Sequence, residues 1–348
     1  MGVDIRDVAR QSGVSVATVS RALNGRPDVS EATRARVAKS ALELGYLPNQ
    51  LARALVRQRS DTVGLIWDTR YVASGGRVPF LQDLLIGLKM ALADTGFHLM
   101  LISPNAADEA PDAFLRIASQ HSLDGVVLMG VDQNKDPVTT LIKAGLSVVG
   151  FDLPVRGLQA SYVSTDNVAG GTLAAEYLAG LGHTRIAIIA GPDNQLPSVE
   201  RRDGFLAAMG ELRLPVPPEY VLHGDFFLSS GHACMRDLLA LRDRPTAVFV
   251  AGDNMAIGAM RAITEAGLGV PRDISVVGFD DVEVAAMVQP ALTTIRQDYL
   301  AMGVAAVAML SELIESRLAR ESVGENGPPP TLLKGELVVR ESTAPPTN

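Results

Sequence analysis

Apolar positions in the first sixty residues fall at helical spacing. Ile5, Val8 and Ala9 share one face of a short helix, Gly13 interrupts it, and Ser15 opens a second helix carrying Val16, Val19 and Leu23. Two short helices around such a break form a helix-turn-helix. Pro27 and the turn over 28–30 follow, with Ser30 as N-cap of a third helix at about 31–44. This helix is expected to turn Val37, Ala41 and Leu44 inward and to expose Arg34, Arg36 and Lys39. Gly45 ends it. A short apolar stretch over 50–56 then carries Leu51, Ala52, Leu55 and Val56. A helix of that length is not stable alone in water, so something must order it.

The rhythm changes from residue 61. Apolar runs at 62–66, 99–102, 125–129, 147–151, 186–190, 247–250 and 275–278 alternate with helical stretches, such as Leu84, Leu85 and Leu88 or Met255, Ala259, Ala262 and Ile263. Strand and helix in alternation predict βαβ units with parallel sheets. The expected fold is α/β: a small all-helical helix-turn-helix head over 1–60 and a body over 61–348.

Charge follows the same division. Residues 1–60 hold ten Lys or Arg against five Asp or Glu, so with the chain at −8 the body carries −13. A basic head on an acidic body suits DNA at the head and predicts salt-dependent binding. In a helix-turn-helix the second helix enters the major groove, which points Val16, Ala17, Ser20 and Arg21 at base edges or phosphates. Ser15, Thr18, Ser20 and Asn24 bring hydroxyl or amide groups for phosphate, and Arg21 reaches phosphate or a guanine edge.

No apolar run suggests a membrane span and no secretory signal opens the chain, so a cytosolic protein is expected. The single cysteine, Cys234, excludes an internal disulfide and a cysteine metal cluster; beside Met235, Leu238 and Leu239 it reads as a buried, inert thiol. No cofactor or metal is implied. An enzyme is disfavoured: no Gly-x-Gly-x-x-Gly follows the first strand, no phosphate loop, His-Glu-x-x-His or Gly-x-Ser-x-Gly occurs, and the five histidines are scattered.

Ligands of open parallel sheets gather beyond the carboxyl ends of the strands. Asp68, Asp152, Asp253 and Asp280 stand there, with Arg201 opening the helix after the turn at 190–192. Carboxylates that accept from vicinal hydroxyls and a donating guanidinium suit a polyol. Phe226 and Tyr299 offer flat faces to a sugar or a purine. For Asp68 and Asp253 a helix N-cap is the competing role, and for Phe226, beside Phe227, the core.

The run Ile5-Arg6-Asp7-Val8-Ala9, with Gly13-Val14-Ser15, Thr18-Val19-Ser20-Arg21, Leu23-Asn24, Leu44-Gly45-Tyr46, Pro48-Asn49 and Ala52-Arg53, resembles the head and hinge of the lactose-repressor (LacI/GalR) family of bacterial transcription regulators. Body motifs extend the likeness to 4–342: Asp166-Asn167, Leu181-Gly182-His183, the segment 198–205, the turn at 278–280, Pro290-Ala291-Leu292-Thr293-Thr294 and Gln297-Asp298. The resemblance implies a periplasmic-binding-protein-like body of two lobes, one at about 61–163 and 295–326, the other at about 164–294 and 327–342, with the last crossing near Gly327-Pro328-Pro329-Pro330. It implies a hinge helix at about 49–57 that pairs with its twin in the minor groove of a palindromic operator, bringing Asn49, Ala52, Arg53 and a wedging Leu55 to the DNA. Val16 and Ala17 match the base-selecting pair.

Arg201 and Asp280 map onto effector-binding positions, and Asp152, Phe226 and Phe80 onto cleft-lining ones. The chain departs from the pattern at Gly252-Asp253, where Asn-Asp is usual, and at Arg77-Val78-Pro79-Phe80. The implied protein is a repressor of carbohydrate-utilisation genes that binds operator DNA as a homodimer and answers to a sugar or oligosaccharide. Apolar residues over 80–90 and 287–292 are candidates for the dimer surface, and the lack of heptads in the tail favours a dimer over a tetramer. A purine or other metabolite as effector, and an exported sugar receptor of the same fold, stay open as alternatives.

Overall fold

The computed structural model describes residues 3–23, 26–46, 59–67, 81–104, 110–131, 135–319 and 327–347. Asn24, the hinge expectations at Asn49, Ala52, Arg53 and Leu55, and the cleft expectations at Asp68 and Phe80 lie outside these residues. The chain forms two compact units, Met1–Thr62 with Ser122–Asp124, and Val63–His121 with Gly125–Asn348.

In the first unit, α1 (Ile5–Ser12) starts at a reciprocal capping box, Asp4 accepting from the Arg6 and Asp7 amides while Asp7 accepts from the Asp4 amide. Gly13 closes it in the left-handed conformation, at φ 66°. α2 (Val16–Leu23) is opened by Ser15, whose Oγ accepts from the Thr18 amide at 3.1 Å. α3 (Glu31–Leu44) is capped by Ser30 and ended by Gly45, also at φ 66°. Val8, Val19 and Val37 are fully buried where the three helices meet. Arg34 departs from the exposed face expected of it. It is half-buried, and its Nη2 donates to the Arg26 carbonyl at 3.0 Å, fastening the turn before α3.

Among the described residues, the second unit holds two six-stranded sheets. Its elements run β1 (Thr62–Trp67), α4 (Leu81–Thr95), β2 (His98–Ile102), α5 (Ala113–Gln120), β3 (Gly125–Met129), α6 (Asp136–Lys143), β4 (Ser147–Phe151), β5 (Ala160–Thr165), α7 (Asn167–Gly180) and β6 (Ile186–Ala190). Then come α8 (Leu196–Glu211), β7 (Val221–His223), α9 (Leu228–Ala240), β8 (Ala247–Val250), α10 (Asp253–Glu265), β9 (Ser275–Asp280), β10 (Thr293–Arg296), α11 (Tyr299–Ala319), β11 (Thr331–Leu333) and β12 (Glu336–Val338). The first sheet is ordered β11-β5-β4-β3-β1-β2 and the second β12-β10-β9-β8-β6-β7. β10 and β12 pair antiparallel, whereas β3, β4, β5 and β11 in the first sheet and β6, β8, β9 and β10 in the second pair parallel. β3, β4 and β6 are buried at every position, which is why they read as unbroken apolar runs.

Strand membership moves the expected lobe boundaries. β5 keeps the chain in the first lobe through Thr165, and β10 keeps it in the second through Arg296. The last crossing is not at the proline run. β11 still pairs with β5 and β12 already with β10, so the chain changes lobe at Lys334-Gly335. Proline lacks an amide but does not bar the next residues from an edge strand.

α11 has the length and hydropathy of a membrane span, but half of that window is buried and the helix packs as a core element. Met302, Ala306, Leu310 and Ile314 pack in the first-lobe core. Its Gly303 meets α4 so closely that a Cβ would lie 2.7 Å from the Leu84 carbonyl oxygen. The polar tail is also docked. Ser342, fully buried, donates to the Val276 carbonyl at 2.6 Å and accepts from the Thr293 amide at 2.8 Å. Cys234 is half-buried, and burial pushes its thiol up, in keeping with an inert group.

Candidate functional site

The head presents a mixed face on α2. Val16 is 41 % exposed and Ser15, Ala17 and Arg21 are exposed, while Thr18 and Ser20 are half-buried. The Ser15 hydroxyl is engaged with Thr18 at 2.8 Å, and Arg21 pairs with Asp28 at 3.3 Å. That ion pair is exposed, so a phosphate competes for Arg21 at little cost.

A polar cluster in the second unit is centred on Arg201. Arg201 lies in the second turn of α8, only 4 % exposed, and is held through Nε, Nη1 and the face of its guanidinium. Nε donates to Asn167 Oδ1 at 2.8 Å, Nη1 donates to the Ala251 carbonyl at 2.8 Å and meets Asp280 Oδ1 at 3.4 Å, and the guanidinium lies 3.7 Å from the Phe279 ring centroid. A buried cation needs such partners.

Asp280 ends β9 with φ 117°, a conformation that side chains rarely adopt. Its Oδ1 accepts from Gln297 Nε2 at 2.6 Å and from Tyr299 OH at 3.1 Å, besides Arg201, and the Asp253 amide also donates to this carboxylate. Asp152, following β4 in the other lobe at φ 51°, accepts from Ser164 Oγ at 2.7 Å. Burial pushes the Asp152 carboxyl up, with Ser164 and Arg201 opposing and Asp280 adding to the shift. Burial likewise raises Asp280, against the pull of Arg201, Gln297 and Tyr299. Glu200, whose carboxylate accepts from Asn167 Nδ2 at 3.2 Å, is raised for the same reason. One guanidinium thus pairs with Asp280 and acts electrostatically on Asp152 and Glu200.

Phe226 supplies the apolar wall. It sits at φ 69°, half-buried, its ring so close over Gly191 that a Cβ there would overlap it; a Cβ on Gly252 would lie 3.1 Å from the same ring and 3.6 Å from Asp280 Oδ2. Missing side chains at 191 and 252 leave one aromatic face beside one carboxylate oxygen.

Of the expected cleft residues, Asp152, Arg201, Phe226, Asp280 and Tyr299 come together. Asp253 does not join them as a lining group. Fully buried, its carboxylate accepts from Thr294 Oγ1 at 2.6 Å and from the Val282 amide at 3.0 Å, binding α10 to β10 and to the segment after β9. Nor does it cap α10, whose N-cap is Gly252. Ser164, Asn167, Glu200 and Gln297 were not singled out as site residues from the chain. Asn167, Glu200 and Gln297 stood in family motifs, while Ser164 carried no local signal.

Residues 4–49 match the family model "Bacterial regulatory proteins, lacI family", and 175–343 match "Periplasmic binding protein-like domain". The chain is 37 % identical to the HTH-type transcriptional regulator CelR of Thermobifida fusca over 96 % of both chains. It is 34 % identical to the ribose operon repressor of Escherichia coli K12, over 88 % of this chain and 91 % of that one. With the HTH-type transcriptional repressor PurR of Pasteurella multocida it shares 32 % identity, over 97 % and 98 %. Among solved structures it is similar to a lac repressor dimer bound to operator and the anti-inducer ONPF, at TM-score 0.81 and 28 % identity over 99 % and 100 % of the chains. A CelR–cellobiose complex matches at TM-score 0.71 and 33 % identity, over 98 % and 99 %.

Proposed function

The chain belongs to the LacI family of DNA-binding bacterial transcription regulators, and from that premise we propose that it is a repressor of carbohydrate-utilisation genes whose body takes a neutral saccharide. One observation carries the reading: Asp152 and Glu200 beside the Arg201–Asp280 pair give the cluster more carboxylates than cations. Carboxylates accept hydrogen bonds from vicinal hydroxyls, and their excess charge repels a phosphate or carboxylate ligand. Phe226 offers its face to the C–H side of a sugar ring.

The saccharide bridges the two lobes, because Asp152 belongs to the first and Arg201 and Asp280 to the second. Its preference for one lobe arrangement is the only energy available to order or release the hinge. Operator DNA is bound by a homodimer, two heads facing the half-sites of a palindrome, a reading supported by the likeness to the lac repressor dimer on operator. Cellobiose is the first ligand to test, given the likeness to the CelR–cellobiose complex. A purine is the second reading, favoured by the Phe226 face and by the likeness to PurR.

Thermal melting of the full chain with cellobiose, ribose, glucose 6-phosphate and hypoxanthine tests the reading. A neutral sugar at a hundred times its Kd adds about 2.7 kcal/mol to native stability, and the same sugar changes retention of operator DNA in a mobility-shift assay. Stabilisation by hypoxanthine or by the sugar phosphate alone overturns it.

A further inference from the structure

Gln297 follows β10 at the second lobe crossing and is 5 % exposed. Both ends of its amide are engaged. Nε2 donates to Asp280 Oδ1 and to Tyr299 OH, both at 2.6 Å, and Oε1 accepts from Thr165 Oγ1 at 2.6 Å. The carboxylate can only accept, so the NH2 group must face Asp280 and the carbonyl must face Thr165. The amide therefore has one orientation.

Its two ends lie on different devices. Thr165 is the last residue of β5, in the first-lobe sheet, where it pairs with Leu333 of β11; the next amide, Asp166, donates to the Leu333 carbonyl at 2.7 Å. Asp280 belongs to the second-lobe sheet and pairs with Arg296 of β10. The third crossing closes on the same point: a Cβ on Gly335 would lie 3.4 Å from the Arg296 carbonyl oxygen and 3.8 Å from Thr165 Cγ2. All three crossings thus meet around the Gln297 amide. Asp280 is divided in the same sense, with Oδ1 given to Gln297, Tyr299 and Arg201 and Oδ2 turned towards Gly252 and Phe226.

We propose that Gln297 is the positioning residue that couples the effector carboxylate Asp280 to the lobe hinge, through its paired hydrogen bonds to Asp280 and Thr165. It does not touch the effector. A ligand that draws on Asp280 Oδ2 changes the placement of Oδ1, and the fixed amide passes that change to Thr165 and the β5–β11 edge. The proposal rests on the effector reading above for the place of the ligand, and its test contains one arm that needs no ligand.

Gln297→Leu, one bond shorter and apolar, removes both ends of the bridge. Thr165→Val removes one end with almost no change of shape. Full-length wild type, both variants and the double variant are compared, with cellobiose as probe and a palindromic duplex selected from randomised DNA by the wild-type protein. Thr165→Val is expected to bind cellobiose within about threefold of wild type in calorimetry, and in both single variants the cellobiose-induced change in duplex affinity shrinks by at least about fivefold. The double variant should match Gln297→Leu alone, because both changes cut one path.

Without ligand, hydrogen exchange at the Asp166 amide should quicken by about tenfold in either variant. An undiminished response with unchanged exchange overturns the proposal. So does a loss of cellobiose binding as deep as that of Asp280→Ala, which would make Gln297 a binding residue. If Gln297→Leu does not fold, Thr165→Val carries the same expectations. If the wild type ignores cellobiose, the saccharide reading has failed, and the exchange arm still decides the role of Gln297.

Discussion

Arg201 meets Asp280 at 3.4 Å from a position only 4 % exposed, and its guanidinium lies over the ring of Phe279, the residue before its ionic partner. The strand that supplies the counter-charge therefore also supplies the aromatic floor. Removing the cation strands Asp280, with Asp152 and Glu200 nearby. Arg201→Ala is expected to lower unfolding stability by about 3–5 kcal/mol at neutral pH and to abolish effector binding. Urea unfolding and calorimetry measure the two effects.

Gly191 is expected to be intolerant of any side chain. In Gly191→Ala the new methyl would overlap the Phe226 ring, which must leave the wall it forms. Saccharide affinity should fall by at least about tenfold, against a loss of about 1–3 kcal/mol in stability. Titration with a neutral sugar beside chemical unfolding separates the two.

The raised carboxylates predict a pH dependence of definite sign. A carboxyl whose folded pKa lies above its unfolded value weakens the native state once pH exceeds the unfolded value, so ligand-free protein loses stability as pH climbs through the window between the two. Asp152→Asn keeps an acceptor for Ser164 and removes the charge. It should raise the ligand-free melting temperature at pH 7 and lower saccharide affinity. A melting temperature that falls would show that the charge is already compensated.

His183 predicts the opposite limb. Buried to 2 % exposure, its Nε2 donates to the Ala344 carbonyl at 2.9 Å and its Nδ1 meets Thr246 Oγ1 at 2.9 Å, and burial lowers its pKa. A histidine with a lowered folded pKa contributes fully above the unfolded value of 6.5 and loses that contribution as pH falls towards the folded value. Melting temperature should therefore decline below about pH 6.5, and His183→Gln should flatten that decline. The docked tail, which includes Ala344, should show the earliest hydrogen exchange on acidification.

At the head, Val16 and Ala17 face outward without polar atoms and can contact a thymine methyl group but not a base donor or acceptor. Exchanging them for Gln and Asn should shift the operator sequence recovered by in vitro selection, at a change of about 1–3 kcal/mol per altered base pair. An unchanged recovered sequence would remove them from base readout.

The head was legible almost to the residue, because its boundaries are set by groups a few positions apart: the Ser30 hydroxyl on the Thr33 amide, Gly13 and Gly45 in left-handed turns. Buried parallel strands such as β3 and β4 were equally visible as apolar runs. Arg34 failed the same local logic, since the carbonyls it reaches lie in the turn before its helix.

The site was legible only in part. Asp152, Arg201 and Asp280 stand at strand and helix ends where ligands gather, yet Asp253 stands there too and turns inward to Thr294 and Val282. Which way a carboxylate faces depends on donors many residues away. The chain alone determined that there is a helical head, an α/β body with parallel sheets and a supply of acids at strand ends, because those follow from periodicity and neighbouring residues. Only tertiary structure decided that the lobes cross last at Lys334-Gly335, that Arg201 pairs with Asp280 close to two further carboxylates, and that Gln297 joins Thr165 to Asp280. Those depend on long-range strand pairing and on the saturation of buried polar groups, which no local pattern encodes.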